Sequence, residues 1–324
     1  MSDTVDLLAE YDRFEQEGGW CTIERDVVSV DGPDAGRYLQ GQLSQEVVAL
    51  ADGSSTWSLL LQPTGKVDAW LRVRRLDDET YLLDVDSGFG EVLVARLQRF
   101  LLRTKASIGP VETVPFLAAR VPATLVTALG EQITPRYDEV LAGGPIAGPP
   151  GVVGWDRALR PGAPPPAEPQ LRPGTGEMTT AAYERYRIAH AVPAMGAELT
   201  PETIPAEAGQ WLLDASVSFT KGCYTGQELV ARIDSRGGNV PRPIRLLRVD
   251  GGPMPMVGGE VRSGDSVVGH VTSAAPWLAP HQPALALGPV ARSVELGATV
   301  EVQTETGATV ATVVEPPFVG HGPD

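Results

Sequence analysis

Cysteine is scarce in this chain, and that scarcity bears on where the protein works. Only Cys21 and Cys223 occur among 324 residues, too few for the disulfide framework that stabilises small secreted domains. The first residues, MSDTVDLLAEYDRFEQEGG, are acidic and lack the basic stretch followed by an apolar core that marks a secretory signal. The sequence therefore predicts a protein of the reducing cytoplasm.

Long apolar runs and an excess of positive charge are also absent. No stretch approaches the roughly 20 apolar residues that a membrane-spanning helix needs, so no membrane attachment is predicted. Lys and Arg number 26 against 41 Asp and Glu, which gives a formal net charge of -15. Because that charge opposes attraction to phosphates, direct nucleic-acid binding is not predicted. An anionic ligand would need a local cationic patch, for which the chain offers Lys221, Arg232, Arg236, Arg242, Arg245 and Arg248.

Histidine is rare, and the common nucleotide-binding motifs are missing. The four histidines are scattered along the chain, with no cysteine or carboxylate at metal-ligand spacing, so no bound metal is predicted. The single thiol of the segment around Cys223 cannot hold an iron–sulfur cluster, which usually takes four ligands, unless a second protomer, a partner or Cys21 contributes. No G-x-G-x-x-G follows a strand and no G-x-x-x-x-G-K-[ST] occurs, which argues against a dinucleotide-binding or P-loop fold.

Proline and glycine are plentiful but unevenly placed. They concentrate in residues 143–176, which predicts a connection without regular structure. Residues 1–142 combine helical spacing with short-looped strand-like runs, typical of an α+β unit with an antiparallel sheet. Residues 177–241 form a return segment, and residues 242–324 alternate short apolar and polar runs, as in a small antiparallel β-barrel. The predicted fold class is α+β.

The most informative stretch is residues 217–236, VSFTKGCYTGQELVARIDSR. Its apolar beginning predicts the end of a strand, and the run from Glu228 predicts a helix with Thr225 at the N-cap. Such a junction presents free N–H groups and a positive helix end, which suit a carboxylate or phosphate. The alternative is a structural turn whose glycines only reverse the chain. The candidate ligand site comprises Arg232 and the eight central residues Lys221, Gly222, Cys223, Tyr224, Thr225, Gly226, Gln227 and Glu228.

Cys223 is the candidate nucleophile. The neighbouring Lys221 and a helix N-terminus would both favour its reactive thiolate form. No general base is identifiable from the spacing, and free cysteines are commonly small buried hydrophobic residues. A covalent or redox role and a packing or ligand-lining role are therefore both open.

Three segments together resemble the YgfZ-type folate-binding proteins, relatives of the glycine-cleavage T-protein, an aminomethyltransferase. They are GPDAGRYLQGQLSQEV at 32–47, LLLQPTGKVDAWLRVRR at 59–75 and KGCYTGQE at 221–228. The resemblance implies three domains in a ring around an opening that holds tetrahydrofolate, with a C-terminal antiparallel β-barrel. It also implies a cytoplasmic accessory protein that supports iron–sulfur cluster assembly or repair. The implied partners are a reduced folate and iron–sulfur client or assembly proteins.

Within this resemblance, helix residues around position 186 are expected to contact the pterin. Tyr183 and Tyr186 lie one helical turn apart and are candidates to flank the ring, with core packing as the alternative. The T-protein has a motif like R-L-E-A-G-M-x-L-Y-G whose glutamate grips the pterin, and Ala189 takes that position here. Either another ligand is bound, or the carboxylate comes from elsewhere; the candidates are Glu184, Glu198 and Glu207.

A second departure concerns catalysis. The T-protein has an Asp-Asp pair, one member being catalytic, where this chain has Ala69 and Trp70, with Asp68 one residue earlier. Because side chains alternate along a strand, Asp68 is predicted to point away from the side of Ala69, and it is only a weak catalytic candidate. Aminomethyl transfer is therefore expected to be weak or absent. The alternative functions are a folate-dependent aminomethyl- or methyltransferase, and a structural or partner-binding relative that binds no ligand.

Overall fold

A computed structural model describes residues 2–121, 142–147, 153–159 and 176–316. The chain starts with helix α1 (Ser2–Glu17), whose Tyr11 and Phe14 are buried. Gly18 ends this helix with φ of 78° and donates its N–H to the Phe14 carbonyl. The stop is the left-handed glycine that commonly terminates helices.

Nine strands form the first sheet, in the order β2-β3-β4-β1-β6-β8-β7, with β5 and β9 also paired to β1. All these pairings are antiparallel except that of β9 with β1. The strands are β1 (Gly19–Asp31), β2 (Ser55–Leu61), β3 (Val67–Arg75), β4 (Thr80–Asp86), β5 (Ser107–Ile108), β6 (Glu112–Val121), β7 (Ala142–Ala147), β8 (Val153–Ala158) and β9 (Gly176–Glu177).

Strand β1 is the organising strand of this sheet. Its 13 residues pair with β4 along the second half and with β6 along most of its length. The register sets Arg25 opposite Asp86 on β4 and Gly19 opposite Arg120 on β6. Charged residues that are distant in sequence are thereby brought to one face of the sheet.

The prediction that residues 143–176 lack regular structure is wrong at 143–147, 153–158 and 176, which lie in strands β7, β8 and β9. Strands β7 and β8 pair with each other, and β8 pairs with β6, so this part of the chain extends the first sheet. Proline is tolerated in β7 because it is the edge strand, and the register skips between Ala142 and Pro145. Residues 148–152 and 160–175 lie outside the described residues.

In the part of the chain that the structure describes, five further helices connect and cover the sheets. They are α2 (Ala35–Gln42), α3 (Gly90–Gln98), α4 (Thr180–Ala189), α5 (Gln210–Ser216) and α6 (Gln227–Asp234), with a 3₁₀ turn at Pro205–Ala208. Thr179 is the N-cap of helix α4, and its hydroxyl accepts the N–H of Ala182 at 3.2 Å. That hydrogen bond satisfies one of the N–H groups that a helix start leaves without a partner.

The element before the KGCYTGQE segment is a helix, so the prediction of a strand there is wrong. Helix α5 ends at Ser216, and Val217 is its extended C-cap. The N-cap of α6 is Gly226, with φ of 82°, rather than Thr225. A short apolar run does not by itself distinguish a strand from a buried helix, and this ambiguity explains why a strand was predicted here.

Just after the end of helix α4, an alanine takes a backbone conformation that suits glycine. Ala191 has φ of 50°, and Val192 donates its N–H to the Arg187 carbonyl at 2.9 Å, closing the helix end. A side chain in this region costs about 1 kcal/mol.

We therefore expect Ala191→Gly to raise the free energy of unfolding by about 0.5–1 kcal/mol, as measured by urea denaturation. Ala181→Gly, at an exposed position inside the same helix, should instead lower it. A loss of stability in Ala191→Gly would contradict the prediction.

Seven strands form a second, curled antiparallel sheet, in the order β12-β11-β15-β16-β10-β14-β13. Along β15 burial alternates strictly, as the apolar-polar pattern predicted. The strands are β10 (Ile244–Val249), β11 (Glu260–Ser263), β12 (Ser266–His270), β13 (Ser273–Ala275), β14 (Ala284–Pro289), β15 (Thr299–Thr304) and β16 (Gly307–Val314). Within the described ranges, no helix has the length and apolar character needed to cross a membrane.

Helix α4 lies between the two sheets and has two different faces. Ala189 and its neighbours pack into an apolar cluster with Leu246 and Leu285 of the second sheet. Buried Arg185 donates to the Pro276 carbonyl at 2.8 Å, which ties the helix to the loop before β14. The opposite face of α4 is turned toward the first sheet.

Candidate functional site

A cavity of about 410 Å³ lies between the first sheet and the face of α4 that is turned toward that sheet. Its volume falls in the range of small-molecule sites. The lining residues come from six strands, two helices and the loop after α4: Cys21, Thr22, Ile23, Glu24, Arg25, Trp57, Trp70, Asp86, Arg120, Asp156, Thr180, Tyr183, Glu184, Tyr186, Arg187, Val192, Pro193, Ala194 and Trp211.

Three indole rings contribute to the cavity lining. Trp57 and Trp70 stack with ring centres 4.4 Å apart and planes 25° apart. Trp211 meets Trp70 edge-on at 6.1 Å. The Trp70 ring is held by its Nε1, which donates to the hydroxyl of buried Ser216 at 2.9 Å. These large planar surfaces are suited to a flat ligand.

A chain of alternating buried charges runs from the cavity into the sheet. Arg25 joins Asp86, at 2.9 Å, to Asp84, and Arg72 joins Asp84, at 2.9 Å, to Asp156, at 3.4 Å. Burial by itself would raise the pKa of Asp84, but Arg72 and Arg25 outweigh it and hold that pKa below its usual value.

Arg120 extends this charge chain to helix α4. It donates to Asp156 at 2.9 Å and to the Tyr183 hydroxyl at 2.9 Å. Because each of these arginines is already bonded to a carboxylate, the charge chain fixes the shape of the cavity more than it offers a free cation.

This charge chain was not predicted from the sequence, although a signal was present. Arg72 and Asp84 each lie inside an apolar strand-like run, where charged residues are rarely buried unless they are paired. Two strands with such a charge predict a buried ion pair, but not the other residues that join it.

Both tyrosines proposed to flank a ligand line the cavity. Their ring centres are 6.0 Å apart, and Arg120 lies 5.3 Å over the Tyr183 ring. Burial raises the pKa of both phenols, and for Tyr183 the nearby Arg120 opposes that shift. Tyr186 also packs edge-on against Phe14 of α1 at 5.3 Å. It therefore serves the core and the cavity together.

The two cysteines occupy different environments. Cys21 is buried and lines the cavity, and burial raises the pKa of its thiol to about 12. Such a thiol is a poor nucleophile at neutral pH. Cys223 is exposed and is not among the cavity residues.

The KGCYTGQE segment is anchored at the C-terminal end of α2, and none of its residues belongs to the cavity lining. The ammonium group of Lys221 donates to the carbonyls of Gln40, Leu43 and Gln45 at 2.7, 2.7 and 2.9 Å. Burial lowers the pKa of Lys221 to about 8, and Glu46 opposes the shift. The lysine satisfies carbonyls at the end of a helix, where such groups otherwise lack partners.

Gly226 is required by a close approach of two backbones. A Cβ atom there would lie 2.5 Å from the Gln62 carbonyl oxygen, and one at Gly65 would lie 2.4 Å from the Leu229 side chain. Both glycines have φ of 82°. The PTGK turn and the KGCYTGQE segment, distant in sequence, therefore pack directly against each other.

The other residues of the segment divide into bonded and exposed groups. The N–H of Thr225 donates to the Gly41 carbonyl at 3.2 Å, and Gln227 accepts the N–H of Tyr224 at 3.2 Å. The exposed members are Gly222, Cys223, Glu228 and Arg232. None of these residues, and none of the cationic patch around them, lines the cavity.

Asp68 is held away from the cavity. Arg96 of α3 donates to it at 3.0 Å, and the β2–β3 register skips this residue between Val67 and Ala69. Trp70 lines the cavity and Ala69 is buried. No group of three or more potential metal ligands occurs among the residues that the structure describes.

Comparison with known proteins places these features in context. No protein-family model matches the chain. A tRNA-modifying protein YgfZ from Edwardsiella ictaluri is 31% identical over 275 residues, covering 74% of this chain and 74% of that protein. A mitochondrial iron-sulfur cluster assembly factor IBA57 homolog from Pyricularia oryzae is 28% identical over 216 residues, covering 66% of this chain and 53% of that protein.

The fold is similar to that of a solved aminomethyltransferase. The glycine cleavage system aminomethyltransferase T from Bartonella henselae matches with a TM-score of 0.72 and 19% identity, over 97% of this chain and 89% of that one. At that identity the likeness concerns the fold. The chain has a T-protein-like fold of mixed helices and sheets.

Proposed function

The chain belongs to the YgfZ family, and from this premise we propose that it binds a tetrahydrofolate derivative and supports assembly or repair of iron–sulfur clusters in client enzymes. The cluster role is supported by the similarity to proteins named iron-sulfur cluster assembly factors. The folate role is supported by the T-protein-like fold. Reduced folate and iron–sulfur client or assembly proteins are thus the proposed partners.

The observation that carries the folate proposal is the cavity beside α4. Its stacked indoles and Tyr183 offer flat apolar surfaces, and carboxylates lie at its edge. A reduced pterin is planar and rich in N–H donors, so these residues fit it. When bound, a tetrahydrofolate supplies a carrier for one-carbon units.

Titration with 5-formyltetrahydrofolate tests this proposal. We expect saturable binding well below millimolar ligand in isothermal titration calorimetry, with a change in tryptophan fluorescence because three indoles line the cavity. Ala194→Trp, which narrows the cavity, should weaken binding at least about tenfold. Cys223→Ser, outside the cavity, should bind as the wild type does. If no binding is detected at millimolar 5-formyltetrahydrofolate, the result would favour the alternative function, a structural or partner-binding protein that binds no ligand.

An active aminomethyl- or methyltransferase is the weaker alternative. The ion pair between Asp68 and Arg96 holds that carboxylate outside the cavity. Loss of a positioned acid or base typically costs about 100- to 10,000-fold in rate. Turnover with a reduced folate and an aminomethyl donor, abolished in Asp68→Asn, would establish this alternative.

The cluster role is tested separately in cells. Deleting the gene should lower the activities of [4Fe–4S] enzymes under oxidative stress, and unchanged activities would refute the role. Complementation of the deletion by the wild type and by Cys223→Ser then shows whether the exposed thiol is needed for the cluster role. Direct binding to tRNA is not part of the proposal, because a net charge of -15 opposes it. The proposed compartment is the cytoplasm.

The proposal extends to architecture. Strands β12 and β13, at opposite ends of the second sheet, are separated by two residues, which supports closure of residues 242–324 into a barrel. A ring of three domains is proposed from the T-protein-like fold. The remaining divisions, at 1–142, 143–176 and 177–241, stay predictions, and a crystal structure would test them.

A further inference from the structure

We propose that Glu184 is the carboxylate that recognises the N–H donor edge of the cavity ligand, a role the alignment with the T-protein assigns to position 189. The inference rests on the proposed folate function and deepens it. It identifies the ligand class as a planar heterocycle with adjacent ring N–H and amino donors.

Position 189 is turned away from the cavity. Ala189 is buried among Leu246, Leu285 and other apolar residues of the second sheet, and it is not a lining residue. A glutamate there would enter an apolar cluster, at a large cost in desolvation. The alanine is therefore explained by packing, and it removes no carboxylate from the cavity.

The other two substitutes considered from the sequence are also outside the cavity lining. Glu198 is buried and accepts hydrogen bonds from Arg187, Ala194 N–H and the hydroxyls of Thr272 and Ser273. Glu207 accepts the N–H of Ile204. Neither is placed to meet a ligand beside Tyr183.

Four carboxylates line the cavity, and in two of them both oxygens already accept hydrogen bonds from the protein. Asp86 accepts from Arg25 through one oxygen and from the N–H of Met195 through the other. Asp156 accepts from Arg120 and Arg72 in the same divided way. Replacing either partner by a ligand would leave a buried guanidinium or N–H unsatisfied.

Glu184 is held in one orientation and still has an oxygen available to a ligand. Glu24, by contrast, is exposed, and no side chain in the described part of the chain fixes its orientation. Two nitrogens of Arg187 reach Oε2 of Glu184 at 2.9 Å. Arg187 is itself fixed, by Glu198 at 2.9 Å and by Ser273 at 2.7 Å. Oε1 of Glu184 accepts no hydrogen bond from the described residues, and its side chain is 46% exposed. The carboxylate is thus pre-positioned with one oxygen available.

The chemistry of a carboxylate selects the ligand edge. An ionised carboxylate only accepts hydrogen bonds, so it pairs with ring N–H and amino groups and repels carbonyl edges. A 2-amino-4-oxo pterin presents two such donors side by side. A site built around such donors discriminates strongly against an analogue that lacks one, because a polar group is then left unpaired.

The test is a cycle of two proteins and two ligands, measured by calorimetry at one pH. The ligands are 5-formyltetrahydrofolate and its 2-desamino analogue, and the proteins are the wild type and Glu184→Gln. Wild type should bind the parent about 10- to 100-fold more tightly than the analogue, since a hydrogen bond to a charged group is lost. In Glu184→Gln most of that preference should disappear. Glu24→Gln is the matched control and should keep the preference.

Each result decides the inference. Equal discrimination by wild type and Glu184→Gln, with both binding the parent, would overturn the role of Glu184 and leave the folate proposal standing. Failure of the wild type to bind either ligand would overturn both. A loss of affinity that is equal for the two ligands would show a structural effect and also refute the inference. Glu184→Asp, which keeps the charge, should retain part of the preference.

Discussion

Replacing Asp84 by asparagine should lower the free energy of unfolding by about 3–5 kcal/mol, the range seen when one member of a buried ion pair is removed. Asp84 is buried and accepts hydrogen bonds from both Arg25 and Arg72. When the charge of Asp84 is removed, Arg25 still pairs with Asp86, and Arg72 keeps only its longer contact to Asp156. Urea denaturation followed by circular dichroism measures the effect.

Asp250→Asn is the matched control for this prediction. Asp250 pairs with Arg248 at 2.9 Å on the surface, with its side chain 59% exposed. Exposed pairs contribute about 0–1 kcal/mol, so this variant should unfold nearly as the wild type does. If Asp84→Asn and Asp250→Asn lower the free energy of unfolding by similar amounts, the buried charge chain stabilises the protein no more than an exposed ion pair does.

The Asp84 site also predicts how stability responds to acid. Its folded pKa lies below the ordinary value because Arg72 and Arg25 outweigh the effect of burial. A carboxylate with a depressed folded pKa contributes fully above the unfolded value of about 3.9. That contribution is lost as pH falls through the lower, folded pKa. The acid-side fall in stability should therefore be shallower in Asp84→Asn than in the wild type.

The second large effect is expected for Lys221→Met, which should lower the free energy of unfolding by about 3 kcal/mol. The substitution keeps an apolar stem of similar length but removes the donor to the three carbonyls of Gln40, Leu43 and Gln45. The end of α2 and the turn after it would then lose their tie to the KGCYTGQE segment. Chemical denaturation reports the loss, and proteolysis near residue 222 should become faster.

Lys66→Met is the control for this lysine. Lys66 forms one ion pair, with the exposed Glu202, so its loss should change stability by less than about 1 kcal/mol. If Lys221 instead bound an anionic ligand, Lys221→Met would leave stability unchanged and weaken folate binding. That outcome would restore the interpretation of the segment as an anion site.

The position of the KGCYTGQE segment changes how its residues are interpreted. The sequence predicts one ligand site that contains Lys221, Cys223 and Tyr183. The structure has Tyr183 in the cavity lining, Lys221 bonded to main-chain carbonyls, and Cys223 exposed. Ligand contact by the segment thus stays a prediction that the Cys223→Ser titration tests, while the thiol is open to a partner protein.

Local patterns predicted several elements well. The alternation of apolar and polar residues predicted the strands of the second sheet, and the spacing of Tyr183 and Tyr186 predicted that both lie on one helix, which is α4. The same reasoning failed before the KGCYTGQE segment, where a short apolar run belongs to helix α5. It failed again at β7 and β8, because β7 pairs with β8 and β8 pairs with β6, and these backbone hydrogen bonds stabilise strands whose composition is rich in glycine and proline.

By itself, the sequence determined the family, the mixed α and β composition, and the placing of two tyrosines on one helix turn. These follow from residue identity and from spacing over a few positions, which local geometry controls. Only the tertiary structure decided that Arg25 meets Asp86 across 61 positions, that Gly65 touches Gly226, and that Ala189 turns away from the cavity. Strand register and helix orientation set those distances, and both depend on packing between elements that are remote along the chain.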